Sequence, residues 1–307
     1  MRTISVRLVA VACGISLASA ALYAQTGKKK QGPRIKPTIA NFAYGEHEKQ
    51  VLDFYRAESS SPTPLVLHIH GGGFTGGDKR TVNQTSLKRL LDAGISVAAI
   101  NYRLAGQAPL PAAHHDAQRA IQTLRAKAKD LNIDKTRVGA FGGSSGAQLC
   151  MWLAYHDDQA DPSSSDPIAR ESTRLAYVAP LSGQITNDFN WWLKNLPGYD
   201  EVHRDPADIF GTNDPAKQAA IAKKISAINL VSPDDPPTFM HYRMAPGDPV
   251  PQGERAAGQW KAHHVNFGLA LKKKLDAVGV EADLHYPGAK SVYETAEDFL
   301  IGMFGRS

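Results

Sequence analysis

Short apolar runs, each closed by glycine, proline or a polar turn, recur along most of this chain. They alternate with longer stretches in which apolar residues return every three or four positions. The runs predict strands at 50–55, 64–70, 96–102, 138–141, 175–181, 237–241 and 281–286. The unbroken apolar character of 64–70 predicts burial on both faces. The three-to-four-residue period predicts helices over 81–93, 112–129, 146–155 and 265–278. Ala117, Ala120, Ile121 and Leu124 mark the apolar stripe of the second, and Phe267, Leu269, Leu271, Leu275 and Val278 that of the last. Gly94 and Gly279 are the stops. Strands alternating with helices of this length predict an α/β fold, a mostly parallel sheet with helices on both faces. Ligands of such sheets bind beyond the carboxyl ends of the strands. Residues 184–227 break the rhythm, with Phe189, Trp191, Trp192, Tyr199 and Phe210 among charged and loop-forming residues. They read as a cap-like insertion bordering the site, in which the two tryptophans either line a pocket or fill a gap.

Composition changes the picture mainly at the N-terminus. The chain has 307 residues, 42% hydrophobic and 21% charged, the balance of an ordinary globular protein. Arg2, Arg7, the apolar and small stretch 8–21 and Ala18-Ser19-Ala20 have the layout of a secretory signal, with Ala24 a second cleavage candidate. Cys13 after Val11-Ala12 hints at lipid attachment, though the apolar run before it is short. The expected organisation is a signal peptide at 1–24, a basic linker at 25–44 and one domain at 45–307, secreted or periplasmic. Cleavage leaves Cys150 alone, which excludes an intramolecular disulfide. The formal charge of +5 is concentrated in Lys28, Lys29, Lys30, Arg34 and Lys36. Without a basic stripe carrying interleaved aromatics, nucleic acid is not an expected partner. No later segment is apolar for long enough to insert stably in a membrane. His114 and His115 lack ligand spacing, so no metal is expected.

Two glycine motifs carry the candidate chemistry. Gly142-Gly143-Ser144-Ser145-Gly146 follows the predicted strand at 138–141 and opens a helix. A G-x-S-x-G so placed is a nucleophile elbow, which thrusts the serine hydroxyl out of a sharp turn. His70-Gly71-Gly72-Gly73 closes the strand at 64–70. The backbone N–H groups of Gly72, Gly73 and Ser145 are candidates for the oxyanion hole around an attack by Ser144. His70 reads as a structural residue that holds this turn by hydrogen bonds.

With His70-Gly71-Gly72-Gly73-Phe74, Asn101-Tyr102-Arg103-Leu104, Asp134-Lys135-Thr136-Arg137-Val138 and the Ser144 elbow in this order, residues 45–300 resemble the α/β-hydrolases. More narrowly they resemble the HGGG-type esterase and lipase branch, including secreted bacterial carbohydrate esterases and feruloyl-esterase-like proteins. The resemblance implies a sheet of about eight strands, no cofactor, and hydrolysis of carboxylic esters through an acyl-enzyme. It implies that Asp116 is a structural anchor, and that the acid after the strand at 237–241 is Asp248, in Asp248-Pro249-Val250-Pro251. It also implies a histidine after the last strand, where this chain has Tyr286-Pro287-Gly288-Ala289-Lys290-Ser291. The base is therefore open among His263 and His264, in the loop after Asp248, then Lys290 and His285. Two functions follow. One is a serine esterase acting on a small-molecule or polysaccharide ester, with acetate or ferulate as the acyl group; a peptidase is a weaker enzymatic variant. The other is a catalytically silent binding protein with the same pocket.

Overall fold

The computed structural model describes residues 34–306. The expected signal peptide, its cleavage sites, Cys13 and residues 25–33 of the expected basic linker lie outside the described residues. Within 36–307, eight strands form one sheet: β1 (Ile39–Ala43), β2 (Val51–Tyr55), β3 (Thr63–Ile69), β4 (Ser96–Ile100), β5 (Ile133–Gly143), β6 (Tyr177–Leu181), β7 (Thr238–His241) and β8 (Ala282–His285). Their order is β1-β2-β4-β3-β5-β6-β7-β8, antiparallel at β1/β2 and β2/β4 and parallel from there onward. The central strands β3 and β4 and the second half of β5, residues 138–142, are buried on both faces, as their continuous apolar runs require. β1 lies inside the stretch expected to be linker. Its register shifts between Ile39 and Phe42, and Asn41 takes φ 53°, so the alternation that would announce a strand is broken.

Among the described residues ten α-helices join or follow the strands: α1 (Gln84–Asp92), α2 (Ala112–Ala126), α3 (Ala128–Leu131), α4 (Ser145–Tyr155), α5 (Phe189–Asn195), α6 (Ala207–Phe210), α7 (Pro215–Ile225), α8 (Glu254–Ala262), α9 (Asn266–Ala277) and α10 (Ala296–Phe304). Asn83 accepts from the N–H groups of Thr85 and Ser86 and so fixes the start of α1. α4 is buried along its whole length, which is why its sequence carries no polar stripe. Residues 184–227 hold α5, α6 and α7 between β6 and β7. Among the described residues no helix is long and apolar enough to cross a membrane.

Two ion pairs brace the end of the sheet where the glycine motifs lie. Asp116 accepts from Arg103 Nη2 at 2.6 Å and from Gln50 Nε2 at 2.7 Å, which ties α2 to the turns after β1 and β4. Lys79 and Asp53 form a pair at 2.7 Å with both side chains 6% exposed.

Candidate active site

Ser144 sits at φ 55°, ψ −123°, a conformation that L-residues hold only when their surroundings impose it. Here two backbone bonds impose it: Ser144 N–H donates to Leu181 O at 3.0 Å, and Gln148 N–H donates to Ser144 O at 3.1 Å. The flanking glycines are a matter of space. A Cβ on Gly146 would lie 2.1 Å from Ile69 O, and one on Gly142 would lie 2.4 Å from the same atom. The elbow therefore presses directly on the end of β3, and the hydroxyl has only the cavity side to face.

The HGGG turn is built the same way. A Cβ on Gly71 would meet Gly143 O at 2.6 Å, so the two motifs are in backbone contact. Gly72 and Gly73 take φ 128° and 61°. The turn's own bonds run from the N–H groups of Thr75 and Gly76 to Gly72 O, and leave the Gly72 and Gly73 N–H groups out of that exchange. His70 has the structural place expected of it. Its ring stacks on Tyr102 at 4.4 Å, its Nδ1 lies 2.8 Å from Gly71 O, and Tyr102 donates to His70 O. Gly72, Gly73 and Ser144 share a cavity of about 920 Å³ whose wall also includes His263, Gln184, Arg204 and Trp192.

His263 is the histidine brought to Ser144, with Nε2 2.9 Å from Oγ. Its Nδ1 lies 2.8 Å from Gln259 O. A carbonyl only accepts, so Nδ1 carries the proton and Nε2 presents its lone pair to the serine. His263 follows the last residue of α8. Its backbone N–H turns to Trp260 O at 3.3 Å, and the carbonyl four residues back is capped by the imidazole instead. Burial pushes the His263 pKa below its ordinary 6.5; the Gln259 carbonyl partly opposes this and Arg243 adds to it. A second tether holds the residue from behind: Gln148 Nε2 donates to Gln184 Oε1 at 2.9 Å, and Gln184 Nε2 donates to Ala262 O at 2.6 Å. The elbow helix α4 and the end of α8 are thus locked in register through one glutamine.

The other expected residues are placed elsewhere. Asp248 does not meet His263. It is exposed and accepts from Ala245 N–H at 2.8 Å, because Arg243–Gly247 carries the chain outward and folds it into a turn that the carboxylate closes. His264 points away from Ser144 into the interior, edge-on to Trp260 at 4.4 Å, and its Nδ1 accepts from Asn266 N–H. Lys290 is exposed, and His285 bonds Ser291 Oγ at 2.7 Å. Ser145 N–H opens α4 directly after Ser144. The tryptophans divide: Trp192 borders the cavity, and Trp191 stacks on Phe267 at 5.2 Å. Among the described residues no group of three or more His, Cys, Asp or Glu side chains is placed to hold a metal ion.

Gln259, Gln184 and Arg204 were not legible as site residues. Of these only Gln259 lies on α8, which Glu254 in its first turn and the Ala257 and Trp260 spacing could have announced. That nine-residue pattern is short and starts on a glycine at φ 90° rather than on a capping side chain.

The BD-FAE family model matches residues 52–247. The chain is 25% identical over 283 residues to Esterase LipQ of Mycobacterium tuberculosis, covering 89% of this chain and 64% of that protein. It is 28% identical over 224 residues to the non-reducing polyketide synthase adrD of Penicillium rubens, covering 66% of this chain but 8% of that protein. This chain therefore spans less than two thirds of the length of these curated relatives. The acetyl ester-xyloside bifunctional hydrolase of Caldicellulosiruptor lactoaceticus superposes with a TM-score of 0.63 at 24% identity, over 83% of this chain and 87% of that one. That likeness confirms the α/β-hydrolase fold, a mostly parallel eight-strand sheet with helices.

Proposed function

We propose, from the premise that the chain belongs to the BD-FAE family of α/β-hydrolase esterases, that it is a carboxylic-ester hydrolase working through a serine acyl-enzyme. The observation that carries the reading is the 2.9 Å contact between Ser144 Oγ and an imidazole nitrogen whose tautomer leaves it basic. In the first half-reaction His263 Nε2 takes the Ser144 proton as Oγ attacks the ester carbonyl. The carbonyl oxygen gains charge and is held by N–H groups of Gly72, Gly73 and Ser145. Loss of one such donor typically costs about 3 kcal/mol of transition-state stabilisation. The imidazolium then gives its proton to the departing alcohol. Water repeats the sequence on the acyl-enzyme, with His263 again as base.

The imidazolium needs a partner, and among the described residues no carboxylate is hydrogen-bonded to it. The carboxyl end of α8 takes that place: its last carbonyls carry roughly half an elementary negative charge, and Gln259 O already holds Nδ1–H. This arrangement favours the esterase over the catalytically silent binding protein. The substrate class is an acetyl or feruloyl ester of a polysaccharide. It is supported by the open cavity bordered by Trp192 and by a structural neighbour described as an acetyl ester-xyloside hydrolase. The charged start and apolar run of residues 2–21 support a secreted or periplasmic location.

Hydrolysis of p-nitrophenyl acetate, acetylated xylan and methyl ferulate by the wild type beside Ser144→Ala tests the reading. A loss of about a thousandfold or more in the variant is expected. Equal, feeble rates in both proteins would return the molecule to the binding-protein reading.

A further inference from the structure

Residues 201–206, between α5 and α6, send one cation into the site cavity. Arg204 Nη1 donates to Gly73 O at 2.8 Å, and its Nη2 lies 2.8 Å from where a Cβ on Gly73 would be. Its Nε donates to His203 Nε2 at 3.1 Å. His203 is held in turn by a 2.8 Å bond between its Nδ1 and Tyr199 OH and by stacking on Trp192 at 5.3 Å. Burial and the adjacent guanidinium push the His203 pKa down to about 4, so at neutral pH it stays an acceptor for Arg204.

What Arg204 lacks is a carboxylate in contact: the charge of Asp208 acts on it, but forms no ion pair or hydrogen bond with it. Among the described residues it has no ion pair, whereas Arg89, Arg103, Arg119 and Arg174 each find an aspartate. Arg125 is also without one, but carbonyls of Lys135, Ser172 and Arg174 occupy its fork. On Arg204 two of the five N–H groups are used, one by Gly73 O and one by His203, and both acceptors are neutral. The rest of the cavity wall does not balance it. Glu201 and Glu254 are set against Arg255 and Lys261, and Arg204 is left as the excess charge. Glu201, Glu254 and Arg255 are exposed at the rim, and Lys261 leans toward Asp200 at 3.7 Å. Arg204 is half-buried and fixed against the oxyanion turn. A guanidinium with its position set by two neutral acceptors and its remaining donors open is preorganised for a planar oxyanion.

We propose that Arg204 anchors an anionic subsite beside Ser144, so that this protein selects esters whose acyl or alcohol part carries a carboxylate. The inference rests on the esterase reading for its catalytic consequence, though not for the binding itself. The ester carbonyl enters the hole at Gly72 and Gly73, and the substrate's carboxylate takes the free side of the Arg204 fork next to it.

Matched pairs of substrates test it. Monoethyl succinate against ethyl butyrate places the charge on the acyl side; 4-acetoxybenzoate against its methyl ester places it on the alcohol side. For at least one pair the ratio of kcat/KM, charged over neutral, should fall about ten- to hundredfold in Arg204→Gln, the range of a charge-assisted hydrogen bond. Arg204→Lys, which keeps the charge and loses the fork, should fall between. The pair that responds identifies which side of the ester bears the anion. Ratios that Arg204→Gln leaves unchanged in both pairs would overturn the proposal and make Arg204 a brace for the Gly73 turn. Calorimetric titration of Ser144→Ala with monoethyl succinate and 4-acetoxybenzoate, with and without Arg204→Gln, decides the same point without turnover. Carboxylate binding lost with Arg204 supports the subsite even if no ester is hydrolysed, and binding indifferent to Arg204 refutes it.

Discussion

Substituting Asp248 by asparagine separates a helix-terminated dyad from a hidden triad. Where an aspartate holds the catalytic histidine, its conversion to asparagine lowers kcat about 10⁴-fold, because the wrong tautomer is imposed. In this chain Asp248 is exposed and accepts a hydrogen bond from Ala245 N–H at 2.8 Å, a bond that asparagine can keep through its carbonyl oxygen. The lost charge acts on His264, whose pKa it raises against burial, and His264 does not touch Ser144. The loss is therefore bounded by one exposed turn bond, about 1 kcal/mol of stability. In catalysis kcat/KM should stay within about threefold, or roughly 0.7 kcal/mol of barrier. His263→Ala should lose about 10⁴-fold or more, over 5 kcal/mol. Steady-state hydrolysis of p-nitrophenyl acetate, with thermal unfolding run on each variant, supplies both numbers. A fall beyond about a hundredfold in Asp248→Asn with unchanged unfolding would refute the reasoning. It would mean that the aspartate reaches His263 in the working enzyme and that Gln259 O is not its partner.

Three other outcomes follow from the same contacts. His263 must be neutral to act as base and its pKa is depressed, so kcat/KM should rise through a midpoint below 6.5 and level off above it; Arg243→Gln should move that midpoint upward, and a midpoint above 7 would contradict the burial argument. Lys79→Met strands the buried Asp53 carboxylate and should cost about 3–5 kcal/mol in urea unfolding, much of it recovered by adding Asp53→Leu; an unchanged midpoint would show the pair to be dispensable. Gly146→Ala forces a methyl group to within 2.1 Å of Ile69 O, a backbone atom that cannot swing aside, and should cost on the order of 1–3 kcal/mol along with most of the activity; normal turnover would mean that the elbow is looser than its contacts imply.

The chain's own pattern determined the parallel core, the elbow and the glycine turn after β3. All three rest on local rules: apolar continuity in a doubly covered strand, and glycine where backbone meets backbone. Gly71 against Gly143 O and Gly146 against Ile69 O make those glycines readable in advance, since no other residue fits. β1 escaped because a bulge and the positive φ of Asn41 erase its alternation. The base remained open between neighbours. His263 and His264 are adjacent and chemically identical, and only the end of α8 turns one ring to Ser144 and the other under Trp260. Asp248 looked like the acid because it stands in a recognisable order with two prolines, yet order along the chain does not fix which acceptor Nδ1 meets. The tertiary structure decided that, by stopping α8 one residue before His263 and leaving Gln259 O to be capped by an imidazole. A helix end supplies a partial negative charge from backbone that every residue type shares, so no side chain in the sequence could have announced it.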